Sequence, residues 1–248
     1  MCKSCGRPTA IHITPASRRH FLKFAGTAVA SLVIPSIAYA QKSKSKAPPK
    51  PANVLSPDGA FDRLMAGNGR YVSGRSKRHD FKAEREMLTT GQNPYAAILS
   101  CADSRIAPEY AFDSARGDLF VCRVAGNFAS NDVIASFEYG IAVLNCPLLM
   151  VLGHADCGAI DATIKSIKDG TTLPGHLPSL VTALSPAVQA TAGQAGNAMD
   201  NAIKQNVILN VAKLKAATPI IDKAIADKKV RIVGAVYNLS NGRVEIVG

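Results

Sequence analysis

Residues 148–168 read LLMVLGHADCGAIDATIKSIK, and the fold class can be worked out from this stretch. It starts with the apolar run Leu148–Gly153, which is typical of a strand that is buried on both faces of a sheet. Residues 157–168 then have the pattern of a helix. The same alternation recurs along the chain, with further predicted strands at 96–100, 119–124 and 230–236 and further predicted helices at 131–144 and 197–217. Because strands that alternate with helices form parallel sheets, the sequence predicts an α/β fold with a mostly parallel central sheet flanked by helices.

The regions around this alternation predict additional elements. At the C-terminus, NLSNG (238–242) followed by residues 243–247 predicts a hairpin that adds an antiparallel edge strand. Toward the N-terminus, one helix is predicted from Ala60 onward and a second, short helix at 80–90. The stretch 172–197 is rich in Pro, Gly, Thr and Ala, which predicts a loop with a short helix inside it.

The positive charge of the chain is concentrated at its N-terminus. The formal net charge is +11, but residues 1–50 contain nine Lys or Arg and no acidic residue. Residues 51–248 therefore carry 20 basic and 18 acidic side chains. A nearly neutral domain lacks the basic surface that binding to a phosphate backbone requires, so no nucleic-acid partner is expected.

The first 40 residues have the layout of an export signal. Residues 17–23 (SRRHFLK) precede an uncharged apolar stretch, 24–40, that ends in the small-x-small sequence Ala38-Tyr39-Ala40. The adjacent Arg18 and Arg19 resemble the twin-arginine signal, which delivers folded proteins across the bacterial inner membrane. The alternative is a membrane anchor, but the apolar stretch is at the lower length limit for a span and is rich in small residues.

The composition therefore divides the chain into three parts. Residues 1–40 are predicted to be a removable twin-arginine signal peptide, and 41–57, rich in Lys, Ser and Pro, a solvated linker. Residues 58–248 form the predicted domain. The mature protein is expected in the periplasm, without a stable membrane anchor.

Two segments carry the residues from which a reactive site could be built. CADSR (101–105) follows the first predicted strand, and GHADCG (153–158) follows the third. The carboxyl ends of parallel strands share one edge of a sheet, where α/β proteins bind their ligands. Two thiolates and an imidazole, from Cys101, Cys157 and His154, can supply three ligands to one tetrahedral Zn²⁺.

Asp103 and Arg105 occupy the region where a fourth ligand would be needed. Asp103 can reach the metal or leave the fourth position to water, and Arg105 can hold Asp103 by paired hydrogen bonds. A structural zinc site normally closes with four Cys or His ligands. A single cysteine in an apolar strand is more often a small core residue, so the prediction depends on the two segments together. The combination favours an open, catalytic metal site.

Several motifs resemble one known family. CADSR, RVAGN (123–127), SFEYG (136–140) and GHADCGA (153–159) are similar, in order and separation, to motifs of the β-class carbonic anhydrases. The closing GAVYNLSNGRVEIVG is similar to the final hairpin of that family, so the resemblance covers about residues 58–248.

This resemblance implies a function and an assembly. It implies that Cys101, His154 and Cys157 bind one zinc ion per subunit and that Asp103 and Arg105 are the catalytic pair, with Asp103 a fourth ligand in a closed state. The implied reaction is the reversible hydration of carbon dioxide to bicarbonate and a proton. The implied assembly is a homodimer, or a dimer of dimers, with the active site near the subunit interface.

Two other functions stay open at the level of the sequence. A hydrolase of carbonyl sulfide or carbon disulfide on the same scaffold would use the same zinc site with a different pocket shape. A non-enzymatic zinc or redox protein would bind zinc without hydrating carbon dioxide, or would form a Cys101–Cys157 disulfide. Cys122 and Cys146 lie in apolar surroundings and are expected to be core thiols, or a disulfide in an oxidising compartment.

Overall fold

A computed structural model describes residues 49–247. The predicted signal peptide at 1–40 and residues 41–48 of the predicted linker lie outside the described residues. The strands are β1 (Ala96–Ser100), β2 (Leu119–Arg123), β3 (Leu148–His154), β4 (Arg231–Tyr237) and β5 (Val244–Ile246). The α-helices are α1 (Pro57–Val72), α2 (Phe81–Met87), α3 (Pro108–Ala111), α4 (Asn131–Ala142), α5 (Gly158–Asp169), α6 (Pro178–Ala190), α7 (Ala198–Lys215) and α8 (Ile221–Ala226). Within 49–247, no helix combines the length and apolar character needed to span a bilayer.

The sheet has the order β2-β1-β3-β4-β5. β1, β2, β3 and β4 pair in parallel, and β5 pairs antiparallel with β4. The predicted α/β fold with an antiparallel C-terminal edge strand is thus confirmed. The chain leaves β1 to form β2 on one side and later returns to place β3 on the other side. A crevice between β1 and β3 at their carboxyl ends follows from this change of direction, and such crevices are the usual ligand sites of open α/β sheets.

Alternate side chains of the central strands enter two separate cores. On one face, Ile98 of β1 and Met150 of β3 pack with Leu64 of α1. On the other face, Leu99 and Val151 pack with residues of α4, α7 and α8. Because the side chains of a strand alternate between faces, a strand covered on both sides must be apolar throughout. All residues of β1 and β3 are accordingly buried.

Helix α6 is longer than the short helix predicted within 172–197. It runs for 13 residues, with Pro178 in its first turn and Pro186 inside it. Pro178 is compatible with the first turn, where backbone N–H groups have no helical partner. Leu184 and Ala187 are buried, so packing of the helix stabilises it despite Pro186. A prediction from composition treats prolines as helix breakers and takes no account of this packing, which is why the predicted helix is too short.

Part of the predicted linker, residues 50–57, makes specific contacts with the domain. Residues Pro51–Asn53 form a 3₁₀ turn, and the side chain of Asn53 is buried. Lys50 Nζ lies 2.6 Å from Asp118 Oδ1, and Asn53 Nδ2 donates to the same oxygen over 3.0 Å. Ser56 caps the N-terminus of α1 through a hydrogen bond from the Gly59 N–H. Asp118 thus supplies a partner for Lys50 and for Asn53.

Candidate metal centre

The ends of β1 and β3 bring the two polar segments together. Cys101 is the first residue after β1, His154 is the last residue of β3, and Cys157 is the residue before the first turn of α5. The three side chains each offer one ligand atom, and these atoms all lie within 4.8 Å of one another. All three residues are buried. The arrangement could hold one metal ion in the crevice between β1 and β3.

The orientation of the His154 ring is fixed by the backbone. Its Nδ1–H donates to the carbonyl oxygen of Ala155 over 2.8 Å. The proton is therefore assigned to Nδ1, and the lone pair is on Nε2. Nε2 is fully buried and has no hydrogen-bond partner among residues 49–247. A buried imidazole nitrogen without a partner is costly, and a metal ion would satisfy it.

The two neighbouring cysteines shift each other's pKa in opposite directions. The neighbouring Cys157 thiol lowers the pKa of Cys101, and the Gly126 N–H, which donates to Cys101 Sγ over 3.3 Å, lowers it further. The interaction with Cys101, together with burial, raises the pKa of Cys157. Two buried thiolates in contact repel each other, and a divalent cation between them would allow both to ionise.

Arg105 holds Asp103 in a bidentate pair. Its Nε donates to Oδ1 over 2.9 Å and its Nη2 to Oδ2 over 2.7 Å. These bonds are the main reason why the pKa of the Asp103 carboxyl is held far below its usual range. Asp103 Oδ2 lies 3.9 Å from His154 Nε2, so the carboxylate faces the cluster while it remains bound to Arg105. The structure places both predicted catalytic residues at the rim of the cluster.

Sequence reasoning assigned no role to Arg123, although it lies within the RVAGN motif. Its Nε donates to the carbonyl oxygen of Cys101 over 2.9 Å. Its Nη2 donates to the carbonyl oxygens of Asp103 and Ile106, over 2.7 and 2.9 Å. Arg123 therefore fixes the loop that carries Cys101 and Asp103. The sequence does contain one signal for this role, because Arg123 is a charged residue at the end of an otherwise apolar strand. In the sheet, Arg123 pairs in register with Ser100, next to Cys101.

The two other cysteines among residues 49–247 do not join the cluster. Cys122 and Cys146 are free thiols in the core behind the sheet, and no disulfide links them. Burial raises the pKa of Cys146 to about 12. The ring of His79 lies beside Glu84, with Nδ1 3.3 Å from Oε1, and His176 is exposed in the loop before α6. Within the described residues, the metal-binding chemistry is thus confined to the crevice.

A family model, sequence relatives and solved structures all point to the same family of proteins. The sequence model of the family described as carbonic anhydrase matches residues 96–244. Carbonic anhydrase 2 of Mycobacterium tuberculosis is 39% identical over 188 residues, which cover 75% of this chain and 91% of the relative. Carbonic anhydrase of Mycolicibacterium smegmatis is 36% identical over 191 residues, or 77% of this chain and 93% of the relative. The solved structure of the β-carbonic anhydrase CcaA superposes with a TM-score of 0.59 at 25% identity, covering 75% of this chain and 86% of that one.

Proposed function

This chain belongs to the carbonic anhydrase family, in its β class, and on that premise we propose that it hydrates carbon dioxide reversibly, to bicarbonate and a proton, at the cluster of Cys101, His154 and Cys157. β-Carbonic anhydrases are zinc enzymes. The observation that carries the proposal is the buried, unpartnered Nε2 of His154, which lies with two sulfur atoms within 4.8 Å.

The donor set fits Zn²⁺. Sulfur and imidazole nitrogen are the ligands that zinc prefers, and we propose all three residues as its ligands, with one zinc ion per subunit. A catalytic zinc site has three protein ligands and one free position, whereas a structural site is closed by a fourth. Asp103, whose Oδ2 lies 3.9 Å from His154 Nε2, is engaged by Arg105, which supports an open site. Zinc in this site would supply Lewis acidity, which lowers the pKa of water and makes a nucleophile available near neutral pH.

The protein residues would perform three tasks around this position. Arg105 keeps Asp103 ionised, so that its Oδ2 can only accept a hydrogen bond and can orient an O–H group placed near His154 Nε2. The Nδ1–H bond to Ala155 keeps the imidazole in the tautomer that a ligand needs. Burial of both sulfurs and the imidazole excludes bulk water from the inner side of the site and strengthens its electrostatic interactions.

A stopped-flow assay of carbon dioxide hydration, combined with zinc quantification, tests this function. We expect hydration that scales with zinc content, and loss of both in Cys157→Ala and His154→Ala. Cys146→Ala is the matched control, because it removes a buried cysteine outside the cluster and should retain zinc and rate. Zinc retention in both ligand variants would refute the ligand assignment. Carbonyl sulfide and carbon disulfide are assayed in parallel, and faster turnover of either would favour the hydrolase function.

We further propose that residues 1–40 direct the folded protein to the periplasm. The proposal is supported by Arg18 and Arg19, by the uncharged stretch that follows them and by the Ala38-Tyr39-Ala40 sequence. Replacing both arginines with lysine should retain the precursor in the cytoplasm. Undiminished export of a protein that begins at Gln41 would show that the route does not depend on the twin arginines.

We also propose that the chain assembles as a homodimer or a dimer of dimers. β2 is an edge strand of the described sheet, and its Phe120 contacts Tyr139 of α4, with the ring centres 6.4 Å apart. Tyr139 and Val143 remain exposed beside this strand, and a second copy would cover such a surface. Sedimentation of the wild type should show an oligomer, and sedimentation of Tyr139→Asp should show a smaller species. A monomeric wild type would refute the proposal.

A further inference from the structure

The residue Gly126 connects the metal centre to helix α7. Its N–H donates to Cys101 Sγ over 3.3 Å, and its carbonyl oxygen accepts a hydrogen bond from Asn206 Nδ2 over 2.8 Å. Both hydrogen bonds are buried. One residue thus contacts a proposed zinc ligand with its N–H group and helix α7 with its C=O group.

Position 126 requires glycine. Its φ is +82°, which is the left-handed region, and a Cβ there would lie 2.7 Å from Leu184 Cδ1. Gly126 therefore has no side chain with which to anchor itself. Its place beside Cys101 depends on hydrogen bonds from other residues.

Two asparagines one turn apart on α7 hold the segment that carries Gly126: Asn206 bonds to Gly126 itself, and Asn210 bonds to Ala129. Asn210 Nδ2 donates to Asn206 Oδ1 over 3.0 Å, and Asn210 Oδ1 accepts from the Ala129 N–H over 2.7 Å. Because Asn206 Oδ1 is engaged by Asn210, the Nδ2 of Asn206 faces Gly126. The pair thereby holds the loop 126–129 at both of its ends.

The burial of two side-chain amides in this part of α7 is unfavourable, because each amide must be removed from water. Asn206 is 2% exposed, and its neighbours Val207 and Val211 pack in the core behind the sheet. An apolar residue could pack at position 206 without the cost of removing an amide from water. The feature that requires the amide is the Gly126 carbonyl, and Gly126 in turn donates to the Cys101 sulfur.

We infer that Asn206 and Asn210 are positioning residues for Cys101, which hold the loop 126–129 so that the Gly126 N–H stays on the sulfur. This inference rests on the proposed role of Cys101 as a zinc ligand. A hydrogen bond to a thiolate draws negative charge from the sulfur and moderates its donation to a metal. Without the asparagines, the sulfur keeps more charge and the metal becomes a weaker Lewis acid.

Cobalt substitution reads the charge on the sulfur directly. We expect the sulfur-to-cobalt charge-transfer band to move to longer wavelength in Asn206→Ala and Asn206→Leu, the second of which preserves the branched shape of the side chain. Zinc affinity, measured by competition with a chelator, should fall about 10-fold, because the loss of positioning of the Cys101 sulfur outweighs its stronger donation to the metal. Asn201→Ala is the matched control, because Asn201 lies on the same helix and its Nδ2 donates to the Ala195 carbonyl instead. This variant should keep the wild-type band and affinity.

Hydrogen exchange measured on peptides that contain residues 124–129 reads the loop itself. Faster exchange in both Asn206 variants, together with the shifted band, supports the inference. Lower thermal stability with an unchanged cobalt band would show that the pair only braces the fold, and would overturn it. If the alanine variant does not fold, the leucine variant decides between these outcomes. A wild type that binds neither cobalt nor zinc would refute the proposed function itself, and this inference with it.

Discussion

Arg105 reaches across the crevice to Asp156, and its Nη2 donates to the Asp156 carbonyl oxygen over 2.9 Å. The same Nη2 also donates to Asp103, so one guanidinium joins the loop after β1 to the loop after β3. Asp156 lies in the turn between β3 and α5, and its φ of 53° is in the left-handed region of the backbone. The position of Asp103 relative to His154 is therefore set by a side chain that contacts both segments.

Replacing Arg105 with alanine should reduce turnover while zinc is retained. The freed Asp103 carboxylate would be able to move onto the metal and fill the free position, and we expect the rate to fall about 100-fold or more if the open state becomes rare. Stopped-flow hydration with measured zinc content tests this. Arg105→Lys keeps the charge but cannot form the bidentate pair, so its rate should lie between those of the wild type and the alanine variant. An alanine variant with a near-normal rate would contradict this explanation.

Arg123→Met should weaken metal binding without contact between Arg123 and the metal. The arginine donates to three backbone carbonyls of the loop that carries Cys101, and its loss leaves that loop free to move. We expect zinc affinity to fall 10- to 100-fold, roughly the range for outer-shell partners. Chelator competition measures this. Arg243→Met, at an exposed arginine, is the control and should retain wild-type affinity.

Asp118 should make the stability of the protein sensitive to acid. Burial alone would raise the pKa of its carboxyl, but hydrogen bonds from Lys50, Asn53 and the Ala115 N–H outweigh burial and lower the pKa. A depressed folded-state pKa gives stabilisation that is complete above the unfolded-state value, about 3.9, and is lost as the pH falls below it. Urea unfolding at several pH values should show a smaller loss of stability below pH 4 in Asp118→Asn.

The same variant should also be less stable at neutral pH. Breaking a buried ion pair by changing one partner costs about 3–5 kcal/mol. Asp161→Asn removes an exposed i,i+4 pair with Lys165 and should cost less than about 1 kcal/mol. Equal effects of the two substitutions would show that the contacts of residues 50–53 add nothing to stability.

Two glycines of α1 should respond in opposite directions to alanine. A Cβ on Gly67 would lie 1.9 Å from the Phe112 carbonyl oxygen, so Gly67→Ala must push the helix away and should cost at least about 2 kcal/mol. Around Gly69, apart from its chain neighbours and the backbone of α1 itself, no atom of residues 49–247 lies within 4 Å of a Cβ, and alanine should stabilise the helix by about 0.5–1 kcal/mol. The free energies of unfolding of both variants test this pair. A stabilising Gly67→Ala would contradict the close packing of α1 on Phe112.

The parts of the structure that could be predicted from sequence are those with a local signal. An unbroken apolar run reports burial on both faces, and therefore β1 and β3 were found close to their observed ends. The CADSR and GHADCG segments follow these strands, so their meeting could be inferred from the parallel order. Arg123, Asn206 and Lys50 carry no such signal, because their roles are hydrogen bonds to residues far away in the chain. The packing that stabilises α6 despite Pro186 is equally non-local.

Because the ligand atoms lie at the ends of β1 and β3, the centre cannot exist before these two strands pair. Parallel pairing across a long crossover loses the entropy of closing the loop before any stabilising contact between the strands has formed. It is therefore among the slower events in the folding of a domain. A nascent chain holds Cys101 long before it contains Cys157. The metal would be captured late, by a sheet that is already assembled, and its retention would then report whether the middle of the sheet is intact.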